Sequence, residues 1–199
     1  MEHRKPRLPQ RAVSRYRNPH LLSQGSTGAL FHAFDATLQR DVALKTITTR
    51  EAKKEERKEQ FLRRAKLLQE VDNVYVAKVL EVVAKDDEPY YVTQFIDGLT
   101  LGKTIEVVDY TVSDLMKLLT NCAAGLAALH ERGFIHGNIT LDSIVVNDDD
   151  HPYVCRFGLA REAINPEVAL RTGSLPTAYR FIPPEVLKGE KHDELGNLY

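Results

Sequence analysis

Apolar periodicity changes once along this chain, near residues 97 to 102, and that change limits the architectures open to it. Before it, apolar residues alternate as they do in strands. "HLLSQGSTGALFHAFDATLQRDVALKTIT" alternates around two turns, the first rich in small residues. "YVAKVLEVVAKDDEPYYVTQFID" supplies two further strands joined by an acidic turn. One helical stretch, "REAKKEERKEQFLRRAKLLQEV", separates these runs, with Phe61, Leu62, Ala65 and Leu68 on one face and a highly charged front end. After Gly98 the repeat becomes that of helices. In "TVSDLMKLLTNCAAGLAALHERG" the residues Leu115, Leu118, Leu119, Cys122, Leu126 and Leu129 form an apolar stripe. Thr111 and Asp114 can form a capping box at its start, and Gly133 closes its end. The expected fold class is therefore α+β. A small antiparallel β lobe with one helix spans residues 16–97, and a helical lobe spans residues 98–199.

Composition excludes several classes. The net charge is −1 and 43% of the residues are hydrophobic, which suits a packed core and gives no overall electrostatic footprint for nucleic acid. The charge is uneven, however. Arg4, Lys5, Arg7, Arg11, Arg15 and Arg17 face only Glu2, with prolines at 6 and 9, so residues 1–15 read as a flexible basic arm. No apolar run reaches the length of a membrane segment. Cys122 and Cys155 sit in apolar stretches and read as small core residues in a reducing, cytoplasmic setting.

Five short motifs occur in an ordered series. They are "LLSQGSTGAL", "VALK", "HGNITLDS", "RFGLA" and "PPE". Together with the order of elements between them, they make residues 16–199 resemble the protein kinase family, most nearly its bacterial serine/threonine type. The resemblance implies a two-lobed fold with a nucleotide site. Ser23, Gly25, Gly28 and Leu30 would belong to the loop covering the phosphates, and Lys45 would be the phosphate-binding lysine. Ala43 and Val145 would pack on the adenine, Thr93 would guard the back of the pocket, and Gln94 to Ile96 would form the hinge. Leu68, His136 and Phe157 match the apolar stack that ties kinase lobes together.

The departures from the family pattern fall on the polar groups. Counting back seven positions from Val71 puts Arg64 where the family has the glutamate that pairs with the lysine. Two readings of Arg64 stay open: an exposed helix residue, or a cation facing Lys45. Asn138 stands in place of the catalytic aspartate, and an amide is not a base near neutral pH. Loss of a general base lowers rates by roughly 10²- to 10⁴-fold. Gly137 replaces the arginine that would hold a phosphorylated segment, and Thr140 replaces the lysine that steadies the transferred phosphate. Ser143 and Arg156 replace the two residues that hold Mg²⁺, and a cation repels rather than ligates a metal. No catalytic set is intact, and no metal site is expected.

The expected function is that of a pseudokinase, a binding or scaffold module. No cofactor is required, although ATP could bind without metal to Lys45, Arg64 and Arg156. The alternative is an atypical, low-activity serine/threonine kinase using Mg²⁺. Thr172, Ser174 and Thr177 would lie in the activation segment. "GNLY" resembles the start of the family's long central helix, with Asn197 in place of an aspartate. A helical lobe ending there would leave part of the 111–132 helix uncovered, so a protein partner is expected on that face.

Overall fold

The computed structural model describes residues 6–25, 28–47, 54–84, 88–157, 181–188, 190 and 193–198. The expected activation segment, with Thr172, Ser174 and Thr177, lies outside the described residues. The chain forms two compact units, Met1–Glu70 with Ala77–Phe95, and Val71–Val76 with Ile96–Tyr199.

The first unit is built on five antiparallel strands: β1 (Tyr16–Gln24), β2 (Gly28–Asp35), β3 (Arg40–Ile47), β4 (Val79–Val83) and β5 (Tyr90–Gln94). Their spatial order is β1-β2-β3-β5-β4. The register pairs Phe31 with Leu44 and Leu44 with Val92, so alternation along the strands gives the sheet two distinct faces. One face carries Ala29, Phe31, Ala33, Val42, Leu44, Tyr90 and Val92, which are buried together with Leu8, Ala12 and Tyr16. The other carries Leu30, Ala43, Lys45, Tyr91 and Thr93. Helix α1 (Glu55–Gln69) buries Phe61, Ala65 and Leu68, and the Phe61 ring lies 5.7 Å from that of Tyr91.

The burial of Leu8 and Ala12 corrects the expectation of a flexible arm over residues 1–15. Within the described part, Leu8 is 7% exposed and Ala12 is fully buried. The Ala12 carbonyl accepts from the Tyr16 amide at 2.9 Å, closing a turn that leads into β1. The basic residues that suggested solvation are compatible with this, because Arg7 and Arg11 point outward while the apolar residues between them turn in. Residues 1–5 are outside the described region.

The second unit contains the pair β6 (Leu99–Thr100) and α2 (Leu101–Val107), the long helix α3 (Val112–Glu131), and strands β7 (Ile144–Val146) and β8 (Pro152–Val154). A short helix α4 (Pro184–Leu187) and a 3₁₀ turn over Leu195–Asn197 follow. The capping box forms: the Thr111 hydroxyl accepts from the Asp114 amide while the Asp114 carboxylate accepts from the Thr111 amide. Gly133 ends α3 at φ +66°, a conformation that side-chain-bearing residues rarely adopt. Leu118, Cys122, Leu126 and Leu129 are buried, but Leu119 is 54% exposed, so the stripe read from the sequence is divided between core and surface. Among the described residues α3 is the one helix long and apolar enough to cross a membrane by length and composition. Here its buried side chains belong to the core of the unit, with Leu118 and Cys122 clustered with Ile144 and Val146.

The boundary between units differs in two respects from a single cut between residues 97 and 98: it falls after Phe95, and an earlier stretch also crosses it. Val71–Val76 belongs with the second unit. The cause is a strand-like contact: the Val154 amide donates to the Tyr75 carbonyl at 2.7 Å, and Val76 bridges Val154 in parallel.

Candidate functional site

In the first unit the predicted nucleotide residues Leu30, Ala43, Lys45 and Thr93 share one sheet face, whereas Gln94 pairs with Val42 and falls on the other. Leu30 pairs with Lys45 across β2 and β3, Lys45 pairs with Tyr91, and Ala43 pairs with Thr93 across β3 and β5. Directly opposed residues in an antiparallel pair project to the same side, which places Leu30, Ala43, Lys45, Tyr91 and Thr93 together. Ala43, Tyr91 and Thr93 are buried, whereas Leu30 and Lys45 are partly open. Gly28 is required for close approach: a Cβ there would sit 2.0 Å from the Thr46 carbonyl oxygen. The turn before it is closed by the Gly25 amide, which donates to the Gly28 carbonyl at 2.9 Å. Ser23 is half-buried near the end of β1, opposite Leu30. Gln94 donates its amide to the Lys78 carbonyl at 2.9 Å.

Arg64 is half-buried, so it is not the exposed helix residue of the first reading. Burial pulls its guanidinium below the usual range. Tyr91 opposes this shift and the neighbouring Arg63 adds to it. Tyr91 thus faces two cations, Lys45 across the strand pair and Arg64 on the helix. The carboxylates of α1 lie elsewhere: Glu55, Glu56 and Glu59 are exposed in its first turns. Tyr91 is the member of this group that the motifs did not indicate. Its strand position, two residues before Thr93, was the available signal.

In the second unit the loop following α3 is held from inside. His136 is fully buried, and its Nε2 lies 2.9 Å from the Cys155 carbonyl oxygen. Its ring packs 5.3 Å from that of Phe157, which in turn meets Phe134 edge-on at 5.8 Å. Asn138 is exposed, and its backbone amide donates to His136 Nδ1 at 3.3 Å. Val145 is half-buried in β7, opposite Tyr153. Ile96 is half-buried where this unit's longer segment begins.

The two positions at which the resemblance expects metal ligands do not fit a divalent cation. The Ser143 side chain is buried and already engaged, donating to the Thr140 carbonyl at 2.7 Å and accepting from the Thr140 amide at 2.8 Å. It closes the loop as a turn. Arg156 is half-buried and stands at φ 54°. Left-handed backbone costs a side-chain-bearing residue roughly 1–2 kcal/mol. A guanidinium supplies no lone pair to a metal. Beside it, burial pushes the Cys155 thiol up to about 12, with Arg156 opposing the shift.

A β sheet with a covering helix, a glycine turn, a strand lysine and a buried His–Phe pair under a loop define a kinase-like α+β domain. Comparison with known proteins gives the same class. The family model described as protein tyrosine and serine/threonine kinase matches residues 18–197. The chain belongs to the protein kinase family. A probable serine/threonine-protein kinase, pknA2 of Bifidobacterium longum, is 26% identical over 194 residues, which is 96% of this chain and 26% of that protein. The serine/threonine-protein kinase PknL of Mycobacterium tuberculosis is 26% identical over 187 residues, covering 94% of this chain and 47% of that protein. The chain therefore spans about a quarter to a half of the length of these relatives. Among solved structures, the PknI kinase domain of Mycobacterium tuberculosis superposes with a TM-score of 0.68 at 17% identity, covering 92% of this chain and 69% of that one.

Proposed function

We propose that this kinase-family domain works by binding and does not transfer phosphate efficiently. The observation that carries this reading is the pair Ser143 and Arg156. One hydroxyl is closed on its own turn and the other position holds a cation, so neither offers a ligand for the Mg²⁺ on which phosphoryl transfer depends. Asn138 adds a missing base. The nucleotide-facing sheet residues remain, and Lys45 with Arg64 supplies positive charge on that face, which supports weak ATP binding without metal.

The test is a thermal-shift titration with ATP, with and without Mg²⁺, alongside a phosphotransfer assay. A ligand that binds only the folded state raises the melting temperature by mass action. This reading expects a metal-independent shift, or none, and no transfer above background. A shift that requires Mg²⁺, together with measurable transfer, would replace it with the second reading.

That second reading is a low-activity serine/threonine kinase. Lys45, Gly25 and Gly28 favour it, as does the similarity to proteins named serine/threonine kinases.

A protein partner is proposed for the second unit. A groove of about 250 Å³ is lined by Leu101, Leu119, Cys122, Leu126, Ile144 and Leu198, among others. Val112, Met116 and Leu119 continue it as an exposed apolar stripe along α3. If this face binds a protein, Leu119→Lys abolishes the complex without lowering the melting temperature. The buried, unbridged thiols of Cys122 and Cys155 suit a reducing, cytoplasmic compartment.

A further inference from the structure

The end of α3, the loop after it and the final 3₁₀ turn are joined by one amide. The backbone N–H of Gly137 donates to Asn197 Oδ1 at 2.9 Å, and Asn197 Nδ2 lies 2.8 Å from His130 Nε2. Asn197 is 3% exposed. A backbone N–H can only donate, so the amide oxygen of Asn197 must point at Gly137. Its NH₂ group then points at His130 and can only donate there. His130 Nε2 must therefore accept, which requires a neutral ring carrying its proton on Nδ1.

We propose that Asn197 and His130 form an acid-sensitive clasp that holds the Gly137 loop to the final turn while His130 is neutral and releases it when the ring is protonated. A protonated ring turns Nε2 into a donor facing another donor. Rotating the amide by half a turn restores that contact but sets NH₂ against the Gly137 N–H. One of the two hydrogen bonds is lost in either arrangement. The site differs chemically from a carboxylate at the same place, because a carboxylate accepts from both neighbours and favours the charged ring.

The described charged and titratable groups on the elements that meet here are Glu131 and Arg132 at the helix end, His136 and the exposed Asp142 in the loop, and Asp193 and Glu194 before the turn. Glu131, Arg132, Asp193 and Glu194 are exposed, and Asp193 Oδ1 accepts from the Gly196 amide at 3.1 Å. The carboxyl end of α3 favours a cation, so the acceptor bond opposes the helix dipole in keeping this ring neutral. His136 is also in a neutral form, but of the opposite tautomer: its Nε2 must donate to the Cys155 carbonyl while Nδ1 accepts from Asn138. The two rings are thus distinguishable in one spectrum. This inference concerns the second unit alone and does not depend on nucleotide binding.

The experiment is a nitrogen-15 NMR titration of the imidazoles in the full chain from about pH 7.5 to about pH 5.5, spanning the ordinary histidine range. Hydrogen exchange at the Gly137 amide is followed in parallel and corrected for intrinsic rates. The expected result is a neutral His130 with its proton on Nδ1. Gly137 protection should fall roughly fivefold to tenfold as that ring titrates, the equivalent of one hydrogen bond. Asn197→Asp should move the proton to Nε2 and abolish the loss of protection. A native His130 carrying its proton on Nε2 near neutral pH would overturn the proposal. So would Gly137 protection that does not follow the ring. Both readings come from the native chain, so they stand even if the variant does not fold.

Discussion

The Arg15 guanidinium grips the Asp35 carboxylate with Nη2 at 2.8 Å and Nε at 3.0 Å, and its Nη1 reaches Glu81 at 2.6 Å. Asp35 is fully buried and also accepts from the Thr37 and Leu38 amides. This pair anchors the segment that carries Leu8 and Ala12 to the sheet. Removing the cation leaves a buried carboxylate supported by two backbone donors. Arg15→Ala should therefore lower stability by about 2–3 kcal/mol, toward the low end for a broken buried pair. Chemical denaturation checks this.

The same carboxylate predicts an acid response. Burial alone would raise the Asp35 pKa, but the Arg15 hydrogen bond and the two backbone donors more than offset it, and the net shift is downward. A depressed carboxylate stabilises the fold above its unfolded value, near 3.9, and the contribution disappears as pH falls through the folded value. Asp35→Asn should flatten the acid limb of the stability curve below about pH 4 relative to the native chain. An unchanged limb would remove Asp35 from the account of acid unfolding.

Arg156 carries the cost of a left-handed backbone at φ 54°. Glycine adopts that conformation without penalty, so Arg156→Gly should raise stability by roughly 1 kcal/mol. A loss instead would mean that contacts of the guanidinium outweigh the backbone strain. The thermal midpoint distinguishes the two.

Asn138→Asp with Arg156→Asp would place a base in the loop after α3 and a carboxylate just after β8. Aspartate tolerates the left-handed region better than most residues. If the domain works by binding alone, the double variant should show a larger Mg²⁺-dependent stabilisation by ATP than the native chain, measured by thermal shift. If it gains none, these two positions are not the main block to metal binding.

Burial raises the Cys122 thiol to about 11 and the Cys155 thiol to about 12. Only the thiolate reacts, so native-state labelling at neutral pH should run on the order of 100-fold or more slower than for the denatured chain. Labelling with a thiol reagent followed by mass spectrometry tests both sites. Rapid native labelling at either residue would show that its burial is transient.

Much of the fold is legible in the sequence. Strand alternation placed Leu30, Ala43 and Lys45 on one face, because a period of two leaves one register that buries Phe31 and Leu44. The Thr111–Asp114 cap was readable because both partners lie within one helical turn. The chemical departures at Arg64, Asn138, Ser143 and Arg156 are written directly in residue types.

Other relationships depend on pairings between distant residues, which periodicity does not encode. The N-terminal residues looked like a solvated arm because charge dominates their composition, yet Leu8 and Ala12 complete the core on the sheet face opposite to that of Lys45. Tyr75 and Val76 join the second unit through Val154. Ser143 could be named as a substitution from its position alone, but only the folded loop closed its hydroxyl on Thr140. His130 and Asn197 are 67 residues apart, and neither belongs to a pattern that would bring them together. Local chemistry set the elements and their faces. The tertiary structure decided which distant donors and acceptors met, because a buried polar group must find a partner and only chain folding supplies it.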